Sequence, residues 1–235
     1  GNIVEENIFL NNGAGTSATG YGDVRLDDQF DGTISTNTFF NNSFGSTVAV
    51  FNNETSGEVV DFSGNWWATN DDDAVVLKLD GAGALAVDFT SFLDDGTDQN
   101  VGLAGFQGDF STLNVTALGS QTGPAGRIQE AIANVTAGGT VNILSGTYAG
   151  NVDATGTGIN KNVTLAPGNS PGQVVINGDL ILNGDDFLDI EINGQTAGSG
   201  YDQFIVNGDV VLNGAALNLT NTYTPVDGDK FTLID

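Results

Sequence analysis

The segment Ile176-Asn177-Gly178-Asp179-Leu180-Ile181-Leu182-Asn183-Gly184 returns thirty residues later as Val206-Asn207-Gly208-Asp209-Val210-Val211-Leu212-Asn213-Gly214. Six of the nine positions are identical, and the other three exchange one aliphatic residue for another. A chain that comes back to the same chemistry at a fixed interval can stack like on like. Within each copy the apolar residues form short alternating runs, such as Leu188, Ile190, Ile192 and Leu217, Leu219. That is the period of a strand with one buried face. Asn-Gly between such runs suits either a hairpin or the corner of a coil, and the repeat selects the coil. The expected fold is all-β, a parallel β-helix whose aliphatic residues fill the inside of a solenoid.

A second repeat lies near the start. Asn7-Ile8-Phe9-Leu10-Asn11-Asn12 and Asn37-Thr38-Phe39-Phe40-Asn41-Asn42 agree at four of six positions, again thirty apart, and Asn65-Trp66-Trp67 is a degenerate third copy. Stacking predicts that Asn7 lies under Asn37 and near Asn65, their amides donating and accepting along the axis as a ladder. Phe9, Phe39 and Trp67 are expected to stack in the same way.

Composition agrees. Of 235 residues 34 are Gly and 26 are Asn, both turn formers, and most acidic side chains are Asp rather than the better helix former Glu. A hydrophobic fraction of 39% with 14 Phe supports a packed β core rather than disorder. Against 30 Asp and Glu stand 5 Lys and Arg, a net charge of −25, which argues against nucleic acid or an anionic membrane surface as partner. No stretch has the apolar length of a membrane span. With no Cys and no His, disulfides, thiolate metal sites, Ser-His-Asp triads and most catalytic zinc sites are excluded. Carboxylate chemistry, hard-cation binding or no chemistry remains. The lack of Met and Cys suits an exported protein.

One helix is expected near residues 127–135, where Ile128, Ile132 and Val135 share a face and Gly138-Gly139 ends the run. The series Ile128-Gln129-Glu130-Ala131-Ile132, Gly139-Thr140-Val141-Asn142-Ile143, Ser145-Gly146-Thr147-Tyr148 and Lys161-Asn162-Val163-Thr164-Leu165 resembles the opening of right-handed parallel β-helices of the pectin-lyase-like class. The resemblance implies that the helix is an N-terminal cap. Residues 3–67, with Asn-x-Phe-x-Asn-Asn and Gly64-Asn65-Trp66-Trp67-Ala68-Thr69, look like the last coils of a β-helix in large bacterial surface proteins. Residues 174–235 are similar to autotransporter passenger repeats. These motifs are specific for architecture and weak for function, since such folds carry lyases, hydrolases, adhesins and inert stalks.

The implied layout is the C-terminal coils of one β-helix over residues 1–93, a connecting segment over 94–126 and a second capped β-helix over 127–235. One continuous stack with the connection looped out is the alternative. Candidate calcium ligands are Asp71, Asp72 and Asp73 in one turn-rich segment and Asp94, Asp95 and Asp98 in another, oxygen donors of the kind calcium takes. Neither segment matches an EF-hand loop, and the same residues would serve equally as solvated turns or Asx caps. Of Trp66 and Trp67, neighbours on a strand, one is expected to point inward; the other could stack on a sugar ring or pack under a loop.

Both ends of the sequence read as cuts through a longer polypeptide, and neither shows a lid. Phe231, Thr232, Leu233 and Ile234 form a bare terminal strand, expected to pair head to tail with a neighbour's open end. The leading expectation is a non-enzymatic extracellular structural protein at a bacterial cell surface, a stalk or a filament subunit. An adhesin or carbohydrate-binding module with a glycan or cell-surface ligand is the alternative, followed by a polysaccharide lyase or glycosidase.

Overall fold

The computed structural model describes residues 2–10, 22–27, 37–155, 161–168 and 171–235. Asn11 and Asn12 of the first repeat lie outside the described residues. The chain divides into two compact units, one of residues 1–109 and 118–124, the other of residues 110–117 and 125–235. Each is a parallel β-solenoid. No described helix is long and apolar enough to cross a membrane.

In the first unit, strands lie in three parallel files. Ile3–Glu5, Thr38–Phe40, Val60–Asp61 and Val87–Asp88 make one; Ile8–Phe9 and Ser43–Phe44, continued by a bridge to Trp66, make another; Val24–Leu26, Val50–Asn52 and Leu79–Asp80 make the third. The inside is filled by Phe44, Val50, Phe62, Trp67, Val87 and Phe89, all fully buried. Each large apolar side chain removed from water contributes about 1.5–3 kcal/mol.

The predicted stacking occurs here in a different register. Phe9 stacks on Phe44 at 4.9 Å and Phe44 on Trp67 at 5.0 Å, while Phe39 stacks on Phe62 at 4.2 Å. Asn37 lies against Asn2, and Asn7 meets Asn42 instead. The cause is unequal coil length: Asn7 and Asn42 are 35 residues apart, Asn42 and Asn65 only 23. What recurs at the corner is the triplet Asn-x-aromatic (Asn7-Ile8-Phe9, Asn42-Ser43-Phe44, Asn65-Trp66-Trp67), not the hexapeptide whose identities place Asn7 opposite Asn37.

Helix α1, Asp72–Val76, corrects the expectation of a single helix. Asp71 caps it, its side chain accepting the Ala74 N–H at 3.1 Å. Five residues are too few to show helical periodicity, and three successive Asp read as a turn.

The second unit also has three files. Thr112–Val115, Thr140–Ile143, Thr164–Pro167, Phe187–Ile192 and Ala216–Asn221 form the first; Gly146–Ala149, Gln173–Asn177 and Gln203–Val206 the second; Val152–Asp153, Leu180–Ile181 and Val210–Val211 the third. Burial alternates residue by residue along Phe187–Ile192, as a strand with one inward face requires. The thirty-residue repeat is in register, Ile176 opposite Val206 and Leu180 opposite Val210. Its Asn-Gly-Asp corners come so close that a Cβ on Gly208 would stand 2.5 Å from the Gly178 carbonyl oxygen, and one on Gly178 only 2.4 Å from that of Gly150. Only glycine fits there.

Helix α2, Arg127–Asn134, buries Ile128, Ala131 and Ile132, with Val135 beyond its end, against the first strand of every file in this unit. Gln129 clips onto Asp153, its Nε2 donating to the Asp153 carbonyl at 3.0 Å and its Oε1 accepting the Asp153 N–H at 2.7 Å. The last turn carries no basic residue of its own. Lys161 supplies the charge instead, its ammonium donating to the carbonyls of Ala133 and Val135, where a cation offsets the negative end of the helix dipole.

Candidate functional site

Polar side chains at the coil corners bond along the axis. In the first unit Asn7 donates through both N and Nδ2 to Asn42 Oδ1, at 3.0 and 3.1 Å. Asn42 donates likewise to Asn65 Oδ1, at 2.7 and 3.0 Å. The Asn65 amide donates in turn to the carbonyls of Phe62 and Phe39, at 2.6 and 2.8 Å. Asn42 and Asn65 are fully buried, and these bonds satisfy amides that would otherwise be costly there. In the second unit Asn151 Oδ1 accepts the Asp179 N–H at 3.0 Å, and Asp179 Oδ1 accepts that of Asp209 at 2.9 Å. Gln173 and Gln203, and Asn177 and Asn207, pair side chain to side chain at 2.8 Å.

Three buried carboxylates act as corner staples. Asp88 accepts from the Thr122 hydroxyl at 2.9 Å and from backbone N–H groups of Thr122 and Thr90. Asp186 joins the N–H groups of Val163 and Asn183, and Asp202 those of Gly172 and Glu191. Burial pushes the Asp202 carboxyl above the usual carboxylate range, against the opposing pull of its two backbone donors. Sequence reading missed these residues because a lone Asp beside a turn looks like any solvated Asp. The thirty-residue spacing from Gly172 to Asp202 was the available signal.

Of the predicted cation ligands, Asp71 caps helix α1, Asp72 and Asp73 form its first turn, and Asp94, Asp95 and Asp98 lie in the loop after Leu93. One oxygen each from Asp71, Asp72 and Asp73 lies within 4.8 Å of the others. Asp71 is at the same time the cap of α1, and Asp72 Oδ1 accepts the Asp73 N–H at 3.1 Å. Asp94 Oδ1 accepts from Asn70 Nδ2 at 3.3 Å, which ties the second acidic segment to the residue before the first. Asp95 and Asp98 close Asx turns on the N–H groups of Thr97 and Asn100, at 2.8 and 3.0 Å.

Trp67 is the inward member of its pair. It is fully buried, and its Nε1 has no hydrogen-bond partner. Trp66 faces outward but is half covered by the loop carrying Gly96, packed so closely that a Cβ there would stand 2.3 Å from Trp66 Nε1.

Phe231, Thr232, Leu233 and Ile234 extend the second file of their own unit. The Phe204 N–H donates to the Leu233 carbonyl at 2.9 Å, Ile234 bridges Phe204 in parallel, and Gln203 Nε2 donates to the Thr232 carbonyl. Phe231 sits edge-on to Tyr201 and Tyr223. The neighbouring rung is uncovered. Leu217 and Leu219, in register with Leu188 and Ile190, are 50% and 52% exposed where their buried counterparts are 5% and 2%. Val210, over fully buried Leu180, is 41% exposed.

Open grooves also lie among the described residues. One of about 640 Å³ in the first unit is lined by small residues with Glu54 and Leu85; one of about 440 Å³ in the second has Lys161 and Asp185 on its wall. No protein-family model, curated protein or solved structure matches the chain.

Proposed function

We propose that this chain is a non-enzymatic structural protein of an extracellular or cell-surface assembly, a solenoid stalk whose work is to hold a length. Within this reading, the sequence likeness is to pectin-lyase-like β-helices and to autotransporter passenger repeats. The observation that carries it is the direction of the polar side chains. Asn42, Asn65, Asp179, Asp186 and Asp202 are turned onto the coils above or below them. Such side chains strengthen the axis and are not free to meet a ligand.

The test is a glycan array, with and without calcium, beside incubation with a broad panel of acidic and neutral polysaccharides. The reading predicts no retained glycan and no release of reducing ends or unsaturated sugars. Stretching single chains should then show successive ruptures as coils peel away. Sugar release, or glycan retention abolished by Trp66→Ala, would replace the stalk with an enzyme or an adhesin.

A further inference from the structure

The net charge of −25 has little counterweight inside the chain. Arg25 pairs with Asp27 at 2.6 Å. Lys78, Lys161 and Arg127, by contrast, turn their cationic groups onto backbone carbonyls, those of Ser46, of Ala133 and Val135, and of Thr116. Even if all 5 Lys and Arg each met a carboxylate, an excess of 25 negative charges would remain.

The fold stacks that excess. Neighbouring strands of one file lie about 4.8 Å apart. Asp179 and Asp209 occupy the same corner of adjacent coils, and Asp61 stands in register with Asp88. Like charges placed opposite each other in a sheet repel, here along the axis and against the ladders that join the coils. The ladders do not need the charge. Asn151, one coil before Asp179 at the same corner, accepts the Asp179 N–H through an uncharged amide oxygen just as Asp179 accepts that of Asp209.

We propose that dissolved inorganic cations complete this solenoid: they gather diffusely over its stacked carboxylates, without a fixed coordination site, and screen the repulsion between coils. The spacing sets the scale. Salt screens over about 10 Å at 0.1 M and about 3 Å at 1 M, so the screening distance falls below the coil spacing only between these limits. Repulsion between neighbouring coils therefore persists in dilute salt and fades toward molar salt. Attractions that salt also weakens, such as the exposed Arg25–Asp27 pair, are too few to reverse the sign. The chain is suited to a medium rich in salt. This inference rests on charge and stacking, and it stands or falls separately from the stalk reading.

Urea unfolding of the whole chain across a sodium chloride series tests it. The midpoint should rise with salt and still be rising between about 0.15 M and about 1 M. Asp72→Asn, Asp179→Asn, Asp189→Asn and Asp209→Asn, combined in one variant, keep the acceptor oxygens that serve Asp73, Asp209 and Asn218 while removing charge. The variant should unfold at higher urea than the parent chain in dilute salt, with the gap closing toward about 1 M. A midpoint that is flat or falls with salt overturns the proposal, as does a variant no more resistant than its parent in dilute salt or a gap that stays open at high salt. Micromolar calcium reproducing the whole gain at fixed stoichiometry would also overturn it, since that is the behaviour of a coordination site.

Discussion

The backbone N–H of Asn42 donates to Oδ1 of Asn65 at 2.7 Å, joining two coils through a corner in which both side chains are fully buried. Removing the Asn65 amide strands this N–H together with the carbonyls it serves. Each orphaned buried group costs about 1–3 kcal/mol. Asn65→Ala should therefore lower the unfolding free energy by about 3 kcal/mol or more in urea titrations. Asn7→Ala, at the exposed end of the same ladder, should cost under about 1 kcal/mol.

Gly178→Ala tests a tight corner of the thirty-residue repeat. Its Cβ would stand 2.4 Å from the Gly150 carbonyl oxygen, so the coils must part for it to fit. A loss of about 1–3 kcal/mol is expected, read as a lower melting temperature. Gly123→Ala is a control for crowding, since nothing lies within 4 Å of a Cβ there; any cost at that position comes from its positive φ alone.

The two tryptophans should report different surroundings. Trp66→Phe leaves the fully buried Trp67 and should emit to the blue of the Trp67→Phe variant, which leaves the half-covered Trp66. Trp67→Ala should cost about 3–5 kcal/mol, because it empties the centre of the aromatic stack. Similar emission from the two Phe variants would contradict the assigned orientations.

Asp202 and Asp229 should titrate on opposite sides of the ordinary Asp value. Burial raises Asp202, whereas the Val226 N–H, as the main cause, lowers the exposed Asp229. For Asp202 the folded state holds its proton longer than the unfolded chain. Its contribution to stability is therefore fullest below the unfolded pKa and is lost as pH rises through the folded one. For Asp229 the contribution is present above the unfolded pKa and is lost as pH falls through the folded one. Carboxyl carbon shifts followed by NMR from pH 2 to pH 7 should give an Asp202 midpoint above, and an Asp229 midpoint below, that of a model Asp peptide (about 3.9).

Asp71→Ala should remove the cap of α1 and cost about 1 kcal/mol with or without calcium. Asp72→Ala should cost less. A loss for Asp71→Ala that appears only when calcium is present would assign the side chain to an ion instead.

How far the sequence could be read depended on the regularity of the corners. In the second unit the offset of thirty holds from Gln173↔Gln203 through Ile181↔Val211, so identity at thirty residues is also contact, as at Asn177 and Asn207. In the first unit successive coils differ in length, 35 residues from Asn7 to Asn42 and 23 from Asn42 to Asn65, and the best identity match put Asn7 on Asn37, whereas the ladder joins Asn7 to Asn42. Stacking chemistry was legible there and register was not. The apolar face of α2 was visible because Ile128, Ile132 and Val135 mark a helical stripe. The buried Asp88 and Asp186 were hidden, since nothing local distinguishes a carboxylate that will be enclosed by backbone amides.

The amide of Gln129 imitates a peptide group, presenting one donor and one acceptor to Asp153 just as a neighbouring main chain would. A side chain cannot pass the pattern on, because no further row of donors and acceptors lies behind it. The third file of this unit is thus closed at Val152–Asp153 by a side chain rather than by another strand.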